Sequence, residues 1–206
     1  MKVLLINGSP HEKGCTYTAL SLIAGELKAQ GIETEILHVG GQPVGGCIGC
    51  GGCRSGNGCV FGGVVNEAIE KAKTADAFVF GSPVHYASAA GNMASFMDRL
   101  AYAGGKYLAY KPAAICCSAR RAGTTSTLDQ LVKYPEFFHM PLVSGSYWPM
   151  VHGSNPEQVL QDAEGCAVMQ ELGRNMAWLL RCIEAGKAAG IQHPENPRRP
   201  MTNFIR

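Results

Sequence analysis

With 206 residues, 46% of them hydrophobic and 17% charged, the chain is long enough for one domain with a shared core and too apolar for a disordered one. A net charge of +2 argues against nucleic acid or an anionic membrane as partner. No run of about 18 apolar residues occurs and the apolar stretch near Met1 is short, so neither a span nor a signal peptide is expected. Nine cysteines without a secretion signal fit a reducing cytoplasm.

Lys2–Ile6 is a β-branched apolar run, ended by the turn formers Asn7-Gly-Ser-Pro10. A helical pattern follows from Thr16 to Gln30, with Leu20, Ile23, Ala24 and Leu27 on one face. A strand, a polar loop and a helix start together form an anion site, where free amides and the positive end of the dipole converge. Gly8 and Gly14 are followed by Cys15-Thr16 with no lysine, which excludes a nucleotide-triphosphate loop. The dinucleotide pattern G-x-G-x-x-G is absent too. Ser9, His11, Thr16, Tyr17 and Thr18 instead suit a single phosphate held by neutral donors, the alternative being an ordinary βα turn.

Gly31 reads as a C-cap and Glu33–Val39 as a strand. The Gly/Cys-rich loop 40–62 comes next, then a helix at Val64–Lys73. Asp76–Ser82 is apolar on both faces, as a central parallel strand is. A loop at Pro83–Ala90, a helix at Gly91–Ala103, a strand at Pro112–Ser118 and a helix from Thr124 to Tyr134 follow. A fifth strand is expected at Met140–Ser146. Asn155-Pro156-Glu157 opens a last helix that reaches about Glu184, with a break near Gly165. The alternation predicts an α/β fold, a doubly wound parallel sheet of five strands with helices on both faces, over residues 1–185. Residues 186–206 form a tail without periodicity, and His139, His152 and His193 join no constellation.

In such sheets ligands bind beyond the carboxyl ends of the strands. The loops there are Gly8–Thr18, then Ser82–Gly91 with Pro83, His85 and Tyr86 as a flat wall, then Ser118–Thr125 with Ser118, Arg120, Arg121 and Gly123 as donors and positive charge. One phosphate site, one planar wall and one donor-rich loop fit flavin mononucleotide (FMN). Gly8-Ser-Pro10 with Gly14-Cys-Thr16, and Ser82-Pro-Val-His-Tyr86 with Phe96-Met-Asp-Arg99, resemble the NAD(P)H-dependent FMN reductases of flavodoxin-like fold over about residues 1–150. The resemblance implies that Ser9, His11, Cys15, Thr16 and Tyr17 line the phosphate. It implies that Pro83, Val84, His85, Tyr86 and Ala87 wrap one edge of the isoalloxazine, with Ser118, Arg120 and Gly123 at another. Cys15 stands where that family usually has Asn, and Phe96, Asp98 and Arg99 would be structural. Against this, His85 and Tyr86 also suit a self-satisfied loop pair, and Arg120 and Arg121 suit solvent.

Cys47-x2-Cys50-x2-Cys53-x5-Cys59 is the second strong signal. Four thiolates so close can wrap one iron–sulfur cluster, and the interleaved glycines free the backbone to fold around it. The spacing resembles the compact motif of the iron–sulfur flavoproteins, which implies a [4Fe–4S] cluster passing electrons to FMN across a subunit contact. An unmetallated loop and a zinc site remain the alternatives. Cys116, Cys117, Cys166 and Cys182 read as core residues.

The reading is an FMN-dependent oxidoreductase that oxidises NADH or NADPH and reduces a small-molecule or protein acceptor. A homodimer or homotetramer is expected, because the resemblance puts one flavin face at a subunit contact. The rivals are an iron–sulfur electron carrier that uses no nicotinamide, and a non-catalytic flavin-binding redox sensor with the cysteines as a thiol switch.

Overall fold

The computed structural model describes residues 1–195 and Thr202. In chain order the elements are β1 (Lys2–Asn7), α1 (Cys15–Ala29), β2 (Glu33–His38), α2 (Val64–Thr74), β3 (Ala77–His85), β4 (Ser88–Ala89) and α3 (Gly91–Gly104). Then come β5 (Ala113–Ala119), α4 (Thr124–Phe137), β6 (Met150–His152), α5 (Pro156–Val159) and α6 (Ala163–Ala188). Five strands pair in parallel in the order β2-β1-β3-β5-β6, and β4 turns back antiparallel on the end of β3. This is the doubly wound, flavodoxin-like order expected from the alternation of elements.

The strands are apolar on both faces because both faces are covered. Leu4 and Ile6 of β1, Phe78 and Phe80 of β3, and Ile115 of β5 pack with Met93, Phe96 and Leu100 of α3 and Leu128 of α4. The alternate residues Val3, Leu5, Val79 and Cys116 pack with Leu20 and Ile23 of α1 and Leu172 and Met176 of α6. The Phe78 and Phe80 rings stack at 5.9 Å on the first face. On the second face α1 and α6 cross closely: a Cβ at Gly173 would stand 2.8 Å from the Ile23 carbonyl and 2.7 Å from Glu26 Cβ.

The fifth strand lies elsewhere than expected. Met140–Ser146 makes a single bridge, Ala113 to Leu142, with Val143 N donating to Ala113 O at 2.8 Å. The chain then leaves the sheet, because side chains of α6 compete for its backbone. The Glu171 carboxylate accepts from Ser146 N at 2.8 Å and Ser146 Oγ at 2.7 Å, and Asn175 Nδ2 donates to Ser144 O at 2.8 Å. Pairing resumes where Cys117 N donates to Pro149 O, and the fifth strand is Met150–His152. The excursion leaves a cavity of about 520 Å³ between Ile115, α4 and residues 142–149.

The C-terminal helix also differs. Asn155 caps α5 through Gln158 N as expected, but Asp162 starts a separate helix by accepting from Gly165 N at 2.9 Å. That helix continues to Ala188, so the expected tail begins later than Gly186. His139 and His193 are not isolated: their rings stack on Tyr110 at 5.4 and 4.4 Å. Within the expected tail, residues 196–201 and 203–206 lie outside the described residues. Among the described residues no helix is long and apolar enough to cross a membrane.

The α1–α6 crossing sets two glycines against each other. Gly25, on the exposed side of α1, has nothing within 4 Å of an added Cβ, so Gly25→Ala should stabilise by up to about 1 kcal/mol through helix propensity. At Gly173 the same gain meets a backbone carbonyl, and overpacking of about 1–3 kcal/mol wins. Thermal unfolding should show Tm rising for Gly25→Ala and falling by a few degrees for Gly173→Ala; a rise for both would show that the helices part freely.

Candidate functional site

Three loops meet at the carboxyl edge of the sheet. The first is held by the buried side chain of Asn7, whose Oδ1 accepts from Ser9 N at 3.1 Å while Nδ2 donates to Glu12 O at 2.9 Å. Ser9 is buried; its Oγ accepts from His11 N at 3.1 Å, and its carbonyl lies 2.7 Å from His38 Nε2. A Cβ at Gly40 would overlap the Ser9 carbonyl, so the chain leaving β2 closes directly over this loop. His11 stands exposed at the rim.

Helix α1 starts without a cap, since Gly14 carries no side chain. The amides of Cys15, Thr16 and Tyr17 form its first turn, where no intrahelical acceptor exists, and they carry the positive end of the dipole. The Thr16 hydroxyl is not aimed at solvent: it is buried, 2.8 Å from the hydroxyl of buried Ser118. Half-buried Cys15 donates from Sγ to Gly153 O at 3.5 Å, and burial pushes its thiol up, so it stays neutral near pH 7.

The expected loop Pro83–Ala90 is a hairpin. β3 runs past its last parallel pair, Pro83 with Ser118, and turns through Tyr86 at φ 50° and Ala87 at φ 58° into β4. Two adjacent left-handed residues make the mirror-image turn that suits a hairpin, but with side chains each costs about 1 kcal/mol or more. Neighbours hold it. Ser126 Oγ donates to Ala87 O at 2.7 Å, and Gln130 Oε1 accepts from Ser88 Oγ at 2.6 Å and Ala89 N at 2.9 Å. Pro83 and Val84 are half-buried, whereas His85, Tyr86 and Ala87 are exposed, and the Tyr86 ring is wholly clear of the protein at the tip.

The third loop follows Ser118. Arg120 and Arg121 are exposed, and Gly123, at φ 92°, precedes α4 without a side-chain cap. A Cβ there would press on Ala87 Cα at 2.6 Å and Val84 Cγ1 at 2.8 Å. That close approach locks the third loop against the hairpin. The structure therefore brings the three loops together, supported by Asn7, by Ser126 and Gln130 of α4, and by Ser82, whose Oγ accepts from Ala90 N at 3.0 Å.

The cysteine loop sits beside α3. Cys47, Cys50, Cys53 and Cys59 all line one cavity of about 310 Å³, together with Ile48, Phe61, Arg99 and Tyr102. Helix α3 anchors the loop: Asn92 Nδ2 donates to Gly40 O at 3.1 Å and Gln42 O at 3.0 Å, and Asn92 Oδ1 accepts from Val44 N at 3.1 Å. Asn66 binds both the N–H and the C=O of Cys59, at 2.8 and 3.0 Å. Arg99, read from the sequence as structural, donates from Nε to Cys59 Sγ at 3.2 Å.

Among the described residues, no three His, Cys, Asp or Glu side chains converge on a single ion. Zinc needs all its thiolates about 2.3 Å from one centre. The four cysteines are nonetheless neighbours on the lining of one cavity, and thiolates are the ligands that iron–sulfur clusters use.

Residues 1–155 match the family described as NADPH-dependent FMN reductase. The chain belongs to that family. Two of its relatives that carry the name iron–sulfur flavoprotein match over most of their length. One, from Archaeoglobus fulgidus, is 31% identical over 91% of this chain and 96% of its own length. The other, from Methanocaldococcus jannaschii, is 28% identical over 89% of this chain and 100% of its own. Among solved structures, a flavodoxin from the domain Archaea superposes with a TM-score of 0.61 at 14% identity, covering 88% of this chain and 99% of that one, a likeness of fold.

With this helix start, the Thr16 hydroxyl matters to folding. Thr16→Ala leaves the buried Ser118 hydroxyl unpartnered and should cost about 1–3 kcal/mol of stability, whereas Thr16→Ser should cost less. Denaturant unfolding checks this. Equal stability of wild type and Thr16→Ala would show that the two hydroxyls do not depend on each other.

Proposed function

We propose that the chain is an FMN-dependent oxidoreductase that takes electrons from NADH or NADPH and delivers them to a small-molecule or protein acceptor in the cytoplasm. The observation that carries this reading is the uncapped start of α1 opposite a strained hairpin bearing an exposed ring. FMN, when bound, supplies the hydride and electron chemistry. The remaining work is positional. The amides of Cys15, Thr16 and Tyr17 would hold the single phosphate, with the Ser9 hydroxyl as a further donor and His11 at the rim. Pro83, Val84, His85, Tyr86 and Ala87 would border the ring system. The loop from Ser118 to Gly123, with Arg120, would supply donors and positive charge at the pyrimidine end. Both substrates would then use the one open face in turn.

The cysteine loop favours a second reading, an iron–sulfur electron carrier in which Cys47, Cys50, Cys53 and Cys59 hold a [4Fe–4S] cluster. The shared cavity and the names of the two relatives support it. Arg99, beside that cavity, lies eight residues along α3 from Gly91, about 12 Å at the rise of an α-helix. A second copy of the chain would bring its own flavin loops toward such a cluster. The exposed Ile48, Val60, Phe61 and Tyr102 around the loop suit such a homodimer or homotetramer.

Strictly anaerobic purification tests both readings on one sample. The expected result is one FMN per chain, bleached by NADH or NADPH, with about four iron and four sulfide that are lost in Cys50→Ala. Absence of any flavin after reconstitution would overturn the oxidoreductase reading. Flavin that neither nucleotide reduces, beside an intact cluster, would select the electron carrier. Iron near zero with undiminished NAD(P)H oxidation in Cys50→Ala would select the plain reductase.

A further inference from the structure

Arg99 is only 6% exposed, yet among the described residues no carboxylate stands among its partners. Its guanidinium reaches Cys59 Sγ from Nε at 3.2 Å, Gly62 O from Nη2 at 2.9 Å and Gly45 O from Nη1 at 3.4 Å, and lies 5.6 Å from the Phe61 ring centroid. The adjacent acid does not serve it, since Asp98 Oδ1 accepts from the Tyr134 hydroxyl at 2.6 Å. Carbonyl dipoles and a ring face offset part of the cost of burying a full charge. Pairing with an anion offsets far more. The side-chain polar atom that it reaches is the Cys59 sulfur, on the lining of the cysteine cavity.

We propose that Arg99 is the built-in counter-charge of the cysteine-loop redox centre, a positioning residue that raises the reduction potential of whatever the four thiolates hold. This rests on the iron–sulfur reading above. Each electron added to a centre ringed by Cys47, Cys50, Cys53 and Cys59 adds negative charge beside a fixed buried cation. The cation and its N–H···S bond favour the reduced form over the oxidised one. Burial keeps solvent and salt from screening the effect. The same side chain sets geometry: Gly45 lies two residues before Cys47 and Gly62 three after Cys59, so one planar fork ties both ends of the ligand loop. A lysine would keep the charge but could not reach three acceptors in three directions.

The test uses the full-length protein, purified anaerobically as wild type, Arg99→Lys and Arg99→Gln. Iron, sulfide and FMN are assayed, and the cluster midpoint potential is read by electron paramagnetic resonance during titration with dithionite. Expected are unchanged FMN in all three, a potential clearly below wild type for Arg99→Gln, and one near wild type for Arg99→Lys. An intact cluster in Arg99→Gln at the wild-type potential would overturn the inference and leave Arg99 a loop clamp. So would equal drops in both variants, because charge would then not be the cause. If Arg99→Gln fails to assemble a cluster, Arg99→Lys decides: a retained cluster near the wild-type potential supports the counter-charge, and loss there too overturns it. A wild type without iron sinks the iron–sulfur reading itself, an outcome visible before any variant is compared.

Discussion

The carboxyl edge of this sheet depends on where α1 begins. Gly14 supplies no cap, so three first-turn amides point outward with nothing in the helix to satisfy them. Their position is fixed from below by the buried Thr16–Ser118 hydroxyl pair, which ties the helix start to the end of β5. It is fixed from the side by Asn7, which closes the preceding loop on itself, and by Gly40, whose missing side chain lets the β2 exit lie against Ser9. The hairpin is then referenced to the same frame, because Ser82 Oγ accepts from Ala90 N at 3.0 Å and Gly123 presses on Ala87. The free first-turn amides and the strained hairpin are thus placed by one packing arrangement.

The strands and helices of the sheet interior were legible because burial on both faces writes a continuous apolar run, and three of the four long parallel strands carry one. The fifth strand was not. Met140–Ser146 has the composition of a strand, but Glu171 and Asn175 take its backbone groups from 25 and 31 residues away. No local pattern encodes that competition. The turn at Tyr86-Ala87 was hidden for the opposite reason: it lacks the Asn-Gly or Asp-Gly pair that usually marks such hairpins, and its strain is borne by Ser126 and Gln130 on α4.

The cysteine motif was visible in the sequence, whereas its support was not. Asn92 and Arg99 are seven residues apart on α3 and so lie on one face two turns apart, where each looks like an ordinary polar position. Only the fold shows that this face meets the Gly/Cys loop, with Asn92 holding its entry and Arg99 its cysteine end. Left-handed Gly49, Gly51, Gly56 and Gly58 let the loop bend between those anchors without strain. The loop is therefore as much a property of α3 as of the cysteines, which explains how a segment without a regular element of more than four residues keeps four cysteines on the lining of one cavity.

The central claim is that one phosphate belongs at the start of α1 and a flat ring against the hairpin. A crystal structure of the protein with FMN tests it most directly. The account predicts phosphate oxygens within hydrogen-bond distance of the Cys15, Thr16 and Tyr17 amides and the ring system bounded by Pro83–Ala87 and Ser118–Gly123. FMN seated elsewhere, such as in the cavity between Ile115 and Trp148, with the α1 amides facing only water, would contradict it.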